Sequence, residues 1–311
     1  MRDKSTKNLT KSRNRGSNET ATKIPNKDGD VMSIAVKDVI SIPPSKSIKE
    51  VAEVMMEHHF RRLPVTDPGS GKLLGIVTVM DILDFFGGGS NYNIIEKKYS
   101  DNFLQAINEP IREIMIRDVI TISNKDSINK AIDTMLENNV GALPITDNEG
   151  NLMGIVTERD ISLSFAGDLT EEIAQDFMTT DVISTTPGTP LESASKIMVR
   201  NCLRRIPIVG ADENQESLKK LLGIITTTNI VRYINDVKMF SSMSSTSAQD
   251  VLENKVSEFM TEEVITIEPT CKLGELCEIF KENNIGGLPV VENDELVGII
   301  TERDILKAFK Q

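Results

Sequence analysis

Short runs of β-branched residues recur along the chain at Val39-Ile40-Ser41-Ile42, Val119-Ile120-Thr121-Ile122, Val182-Ile183-Ser184-Thr185 and Val264-Ile265-Thr266-Ile267. Each predicts a strand. After a turn, apolar positions change to helical spacing, as at Ile48, Val51, Ala52 and Met55, and again at Ile128, Ala131, Ile132 and Met135, which predicts an amphipathic helix. A second strand carries an internal proline: Leu63-Pro64-Val65, Leu143-Pro144-Ile145, Ile206-Pro207-Ile208 and Leu288-Pro289-Val290. A polar turn leads into a third, at Gly75-Ile76-Val77-Thr78, Gly154-Ile155-Val156-Thr157, Gly223-Ile224-Ile225-Thr226 and Gly298-Ile299-Ile300-Thr301. The last helix opens at once with Asp81-Ile82, Asp160-Ile161, Asn229-Ile230 and Asp304-Ile305. The pattern is one βαββα unit written four times, an α/β (α+β) fold built by repetition.

The four prolines stand 80, 63 and 82 residues apart, whereas Pro64 to Pro207 spans 143 and Pro144 to Pro289 spans 145. The chain is therefore a duplicated pair. The expected boundaries are copy one at 31–88, copy two at 111–168, copy three at 173–236 and copy four at 256–311, with linkers at 89–110 and 237–255. Gly87-Gly88-Gly89 reads as a hinge, and scattered apolar positions from Tyr92 to Ile107 predict an extra helix packed on the first pair. No copy can cover both faces of its own small sheet, so neighbouring copies must supply the rest of the core.

Charge separates a tail from a body. Residues 1–30 carry eight Lys/Arg and four Asp/Glu, the remainder 27 and 43, giving +4 and −16. The tail is poor in large apolar residues and is expected to be disordered; an acidic body is not expected to bind nucleic acid or an anionic membrane. No apolar run approaches the roughly 18 residues of a membrane span. The N-terminus shows no signal-like apolar region, and Cys202, Cys271 and Cys277 have neither even number nor metal-ligand spacing. A cytoplasmic protein with reduced thiols is the expectation.

The motif that carries chemistry is GIVTVMD at 75–81, GIVTERD at 154–160, GIITTTN at 223–229 and GIITERD at 298–304. Thr-x-x-Asp at a strand-to-helix junction is a helix-capping box, which needs no ligand. The same junction offers backbone N–H groups and a positive dipole end to phosphate, and a carboxylate that can only accept suits a vicinal ribose diol. Both readings stand at this level.

With its Leu-Pro and Val-Ile-Ser/Thr strands, the fourfold motif resembles the CBS domain family over residues 32–311. The resemblance implies paired copies back to back, two pairs forming a flat disc, with clefts that bind AMP, ADP, ATP or S-adenosylmethionine as regulatory ligands. It also implies that Asp81, Asp160 and Asp304 hold ribose hydroxyls and that Thr78, Thr157, Thr226 and Thr301 face phosphate. Asn229 departs from the pattern and, with the long turn from Val209 to Leu222, makes the copy-three cleft the least secure.

Residues before the Leu-Pro strand split by parity. Arg61-Arg62 and Arg204-Arg205 stand in copies one and three, Gly141-Ala142 and Gly286-Gly287 in copies two and four. A double Arg is either a solvated surface pair or, beside an anion site, a phosphate contact; the small residues leave room for a ligand or a backbone. Arg159 and Arg303, inside the Thr-Glu-Arg-Asp motifs, are alternative phosphate partners. His58 and His59 lack a third metal ligand and read as surface. No catalytic constellation is visible, so the expected function is ligand sensing: an adenosyl ligand shifts the geometry between pairs, and a target enzyme or transporter reads it. The competing reading is an oligomerisation scaffold in which the motifs only cap helices. A homodimer is compatible with either.

Overall fold

The structure is a computed structural model that describes residues 30–100, 102–164, 171–211, 219–234 and 252–310. The basic tail, most of the linker after copy three and the middle of the copy-three turn lie outside the described residues.

The first helix of each copy forms where its apolar spacing predicts: α1 (Ile48–Glu57), α5 (Ile128–Glu137), α7 (Leu191–Arg200) and α9 (Leu273–Glu282). Ser47 and Glu50 cap α1 reciprocally, Glu50 N donating to Ser47 Oγ at 3.3 Å and Ser47 N to Glu50 Oε2 at 2.9 Å. Ile48, Val51, Ala52 and Met55 form the buried stripe of α1. Each helix is followed by a left-handed residue, His59, Asn139, Cys202 and Asn284, with φ between 51° and 55°. That conformation closes a helix C-terminus.

The next two strands of each copy are antiparallel: β1 (Arg62–Thr66) with β2 (Leu73–Thr78), β4 (Ala142–Thr146) with β5 (Leu152–Thr157), β6 (Arg205–Gly210) with β7 (Lys220–Thr226), and β8 (Gly287–Glu292) with β9 (Glu295–Thr301). The register is identical in all four, with Pro64 opposite Ile76, Pro144 opposite Ile155, Pro207 opposite Ile224 and Pro289 opposite Ile299. The predicted first strand is almost absent. It survives as a single parallel bridge in three copies, as at Ile42 and Val65, and as the two-residue β3 (Ile122–Ser123) in copy two. The proline explains this: Ile42 N donates to Pro64 O at 3.0 Å and Thr66 N to Ile42 O at 2.9 Å, but the next rung needs an N–H that proline does not have.

Within each half the copies exchange their leading segments. The short helix Val31–Ile34, which opens copy one, buries Val31 in the core of copy two, and Val36 bridges Ile155. The helix Ala174–Phe177 likewise enters the core of copy four, where Thr179 bridges Ile299. In return Ile111 and Val256 are buried among copies one and three. Between halves, the last helices pack. One core joins copies one and three through α2 (Val79–Leu83) and α8 (Thr227–Ile234), and α6 (Glu158–Ser164) meets α10 (Glu302–Ala308), with Leu306 buried in the copy-two core. Copy one thus touches two, two touches four, four touches three and three touches one, a closed ring.

The extra helix is present as α3 (Tyr92–Tyr99) and α4 (Phe103–Ala106). The glycine run does not form a loose hinge at its start. Helix α2 continues into a π-helical turn at Asp84–Gly88, with Gly87 at φ 134°, and Phe85 and Phe86 buried in the core shared by copies one and three.

Candidate functional site

At the end of each third strand the Thr-x-x-Asp motif forms a closed cap. Thr78 N and Oγ1 both donate to Asp81 Oδ2, at 2.7 and 2.8 Å, and Thr157 does the same to Asp160 Oδ2 at 2.8 and 2.7 Å. Thr301 N and Oγ1 donate to Asp304 Oδ2 at 2.9 and 2.8 Å. In copy three the acceptor is Asn229 Oδ1, 3.0 Å from Thr226 N and also bonded by Thr226 Oγ1. The threonine protons are therefore given to the cap, which leaves these hydroxyls only acceptor capacity toward anything else.

Three caps use one carboxylate oxygen and the copy-three cap uses an amide oxygen, and what the second atom of each group does sets the four copies apart. In Asp81 and Asp160 it is left to accept from elsewhere. Burial raises both carboxyls above the ordinary range against the lowering effect of the Thr78 and Thr157 bonds. Asp304 is buried, and its Oδ1 takes Lys307 Nζ at 2.8 Å. Copy four is therefore less open at this position than its sequence suggests.

The arginines named from sequence do not point outward as surface pairs. They converge on two glutamates that the sequence reading passed over, Glu158 and Glu302, the first helical residues of α6 and α10, each 3% exposed. Glu302 takes Arg61 Nη1 at 3.2 Å and Arg159 Nε at 2.6 Å. Glu158 takes Arg204 Nη1 at 3.3 Å and Arg303 Nε at 2.6 Å. Each glutamate is thus clasped by two arginines of the opposite half. The same Arg159 and Arg303 reach Asn284 and Asn139, the left-handed residues that end α9 and α5. Burial alone would raise the Glu302 carboxyl; Arg61, Arg159 and Arg205 outweigh it and hold it below the ordinary value.

The parity seen in the sequence has a structural reason besides the room that Gly141, Ala142, Gly286 and Gly287 leave in the walls of two neighbouring cavities. A methyl group on Gly141 would clash with Arg204 Nη2 and stand 2.6 Å from Glu158 Oε2, and one on Gly286 would stand 2.6 Å from the Glu302 carboxylate. Copies two and four carry glycine there because they carry the glutamate, whereas copies one and three have Val79 and Thr227 in its place.

Two arginines remain outside these clasps. Arg62 makes no ion pair among the described residues, and Arg205 donates to Gly286 O at 2.8 Å. Burial, then the facing Arg204, lowers the Arg62 guanidinium to about 9; burial, then Arg61, lowers Arg205 to about 10. Both stay charged at neutral pH. Six guanidinium groups, on Arg61, Arg62, Arg159, Arg204, Arg205 and Arg303, therefore surround two buried carboxylates. Cations are in excess at the centre of a chain whose net charge is −12.

Two cavities open onto this centre. One of about 590 Å³ is lined by Thr78, Val79 and Met80 of copy one and by Thr301 and Asp304 of copy four, whereas Asp81, Thr157 and Asp160 line neither cavity. The other, of about 370 Å³, is lined by Thr226 to Asn229 of copy three. Arg61, Arg204 and Arg205 border both. Apolar walls come from the first runs and third strands, with Ile120 and Ile183 in the larger cavity and Ile224 and Ile265 in the smaller. His59 lines the smaller cavity, and His58 stacks on Phe60 with ring centroids 5.4 Å apart. Among the described residues no group of three His, Cys, Asp or Glu side chains could hold a metal, and no helix is long and apolar enough to cross a membrane.

Comparison with known proteins places these features. The family model of the CBS domain matches residues 29–88, 111–167, 173–236 and 256–311. An uncharacterized protein of Methanocaldococcus jannaschii, MJ1225, is 42% identical over 90% of this chain and 98% of its own length. Its crystal structure, put forward as that of an archaeal homolog of g-AMPK, superposes with a TM-score of 0.84 at 41% identity, covering 90% of this chain and 99% of that one. An uncharacterized conserved protein from Pyrococcus horikoshii superposes with a TM-score of 0.58 at 22% identity, covering 90% and 99% of the two chains, and shares the fold.

Proposed function

Because the chain belongs to the CBS domain family, we propose that it is a cytoplasmic ligand-sensing regulator whose clefts take AMP, ADP, ATP or S-adenosylmethionine. A partner protein, an enzyme or transporter, reads the bound state. The observation that carries this reading is the cluster of six arginines around two glutamates, which forms a wall shared by both cavities. A half-buried surplus of cations is costly unless an anion completes it. The phosphates of an adenine nucleotide are suited to that place, since guanidinium groups bind them bidentately, and the isoleucines nearby are suited to the base.

The same cluster gives ligand binding a route to the rest of the molecule. Arg61 and Arg204 hold glutamates of the opposite half. A phosphate that draws either arginine competes with a cross-half ion pair, so occupancy of a cleft changes how the two halves are held together. That difference in contacts between states is what a coupling mechanism requires.

The scaffold reading draws on another observation, the closure of all four caps by protein groups alone. Asn229 separates the two readings, because it shows that an amide closes the same cap without a buried charge. Asp81→Asn and Asp160→Asn should therefore melt at the wild-type temperature or slightly above it. Each should weaken binding of an adenosyl ligand by about tenfold or more if its ribose meets the free carboxylate oxygen, the effect of losing a charge-assisted hydrogen bond. Thermal melts and calorimetric titration read both quantities. Unchanged affinity in both variants would return the motif to capping alone.

A further inference from the structure

The copy-three cleft differs from the others in the sign of its charge where a ribose would lie. Thr226 N donates to Asn229 Oδ1 at 3.0 Å. Only the amide oxygen can accept from a backbone N–H, which fixes the orientation of the side chain. The part of Asn229 left for the cleft is thus Nδ2, a pair of donors, where Asp81 and Asp160 keep an acceptor. One turn along α8 stands Arg232, exposed and without an ion pair among the described residues. The equivalent positions hold Asp84 in copy one, Leu163 in copy two and Lys307, paired with Asp304, in copy four.

Asn229 and Arg232 line the same cavity of about 370 Å³ as Arg61, Arg204 and Arg205. Its one acidic lining residue among those described is the exposed Glu263. That position is acidic in every copy, as Asp38, Asp118 and Asp181, so it does not distinguish copy three.

We propose that this cleft takes a nucleotide whose ribose carries a phosphate on its 2′ or 3′ hydroxyl as well as the 5′ phosphate. A carboxylate selects the free hydroxyl and rejects the phosphate ester by charge, whereas an amide with an arginine does the reverse. The same exchange separates recognition of NAD from that of NADP. The inference rests on the reading that the clefts bind adenosyl compounds, and adds that copy three is a site of different specificity, not a degenerate one.

The test is calorimetric titration of the full chain with AMP, adenosine 2′,5′-bisphosphate and adenosine 3′,5′-bisphosphate. Wild type, Asn229→Asp and Arg232→Leu are compared. Asn229→Asp recreates the cap of the other copies and should fold. One bisphosphate should bind wild type and lose about tenfold or more in affinity in each variant. AMP binding at the Asp-bearing clefts should stay unchanged, and Asn229→Asp should add an AMP site. Bisphosphate affinity equal in all three proteins, or AMP binding without bisphosphate binding, would overturn this inference and leave the proposed function standing. Absence of heat with all three nucleotides would overturn this inference, and the proposed function would be overturned as well only if ADP, ATP and S-adenosylmethionine were also silent.

Discussion

Glu302→Ala lowers the free energy of unfolding by about 3–5 kcal/mol, the loss typical when one partner of a buried ion pair is removed. Glu302 is 3% exposed and accepts from Arg61 and Arg159, while Arg205 stands close enough to act on its titration. Truncation leaves these half-buried guanidinium groups facing one another without the carboxylate between them. Glu158→Ala should cost about as much, since Arg204 and Arg303 are disposed in the same way around it. The pH dependence has a definite sign. A carboxyl held below its unfolded value of 4.5 contributes its stability in full above that pH and loses it as the pH falls through the folded value. Wild type should therefore lose its advantage over Glu302→Ala on acidification below pH 4.5. Denaturant titration at pH 7 and pH 4 measures this, and a difference under about 1 kcal/mol at pH 7, the range of a surface pair, would show that the clasps are not stabilising.

Arg62→Met should do the opposite: leave stability unchanged or raised, and weaken phosphate binding. Its guanidinium sits at about 9 in the fold because burial and Arg204 disfavour its charge. A base with a lowered folded value costs stability below that value, and the cost is relieved as the pH rises from about 9 toward 12.5. Methionine fills similar apolar space without the charge. If an anionic ligand offsets this cost, Arg62→Met together with Arg205→Met should reduce ATP affinity about 100-fold or more, two charge-assisted contacts being lost, while adenosine affinity stays as it was. Equal losses for ATP and adenosine would mean that these arginines shape the cavity without meeting phosphate.

Much of this architecture is legible in sequence because it is local. The capping boxes, the helix stripes and the proline strands each lie within a few residues, and fourfold repetition makes each visible again. The first strands are shorter than their composition predicts: it is that of a strand, but a proline on the neighbouring strand removes the rung that would extend them. The larger omission was Glu158 and Glu302. They stand inside the motif, yet their partners Arg303 and Arg159 lie 145 and 143 residues away, and no local pattern shows how the halves face each other. A signal was present. Glutamate follows the motif threonine only in the copies with glycine at 141 and 286. The alternation of Arg-Arg and Glu-Arg-Asp copies is therefore visible in sequence, while the pairing of that glutamate with arginines of the other half is not.

The central claim is that an adenosyl ligand completes the arginine cluster. The most direct measurement is calorimetric titration of the intact chain with AMP, ADP, ATP and S-adenosylmethionine, with adenosine as the control and thermal melts alongside. At least one should bind more tightly than adenosine and stabilise the fold by about 2.7 kcal/mol at a hundredfold excess over its dissociation constant. No heat and no shift of the melt with any of the four would contradict the claim and leave the ring of four copies as a scaffold.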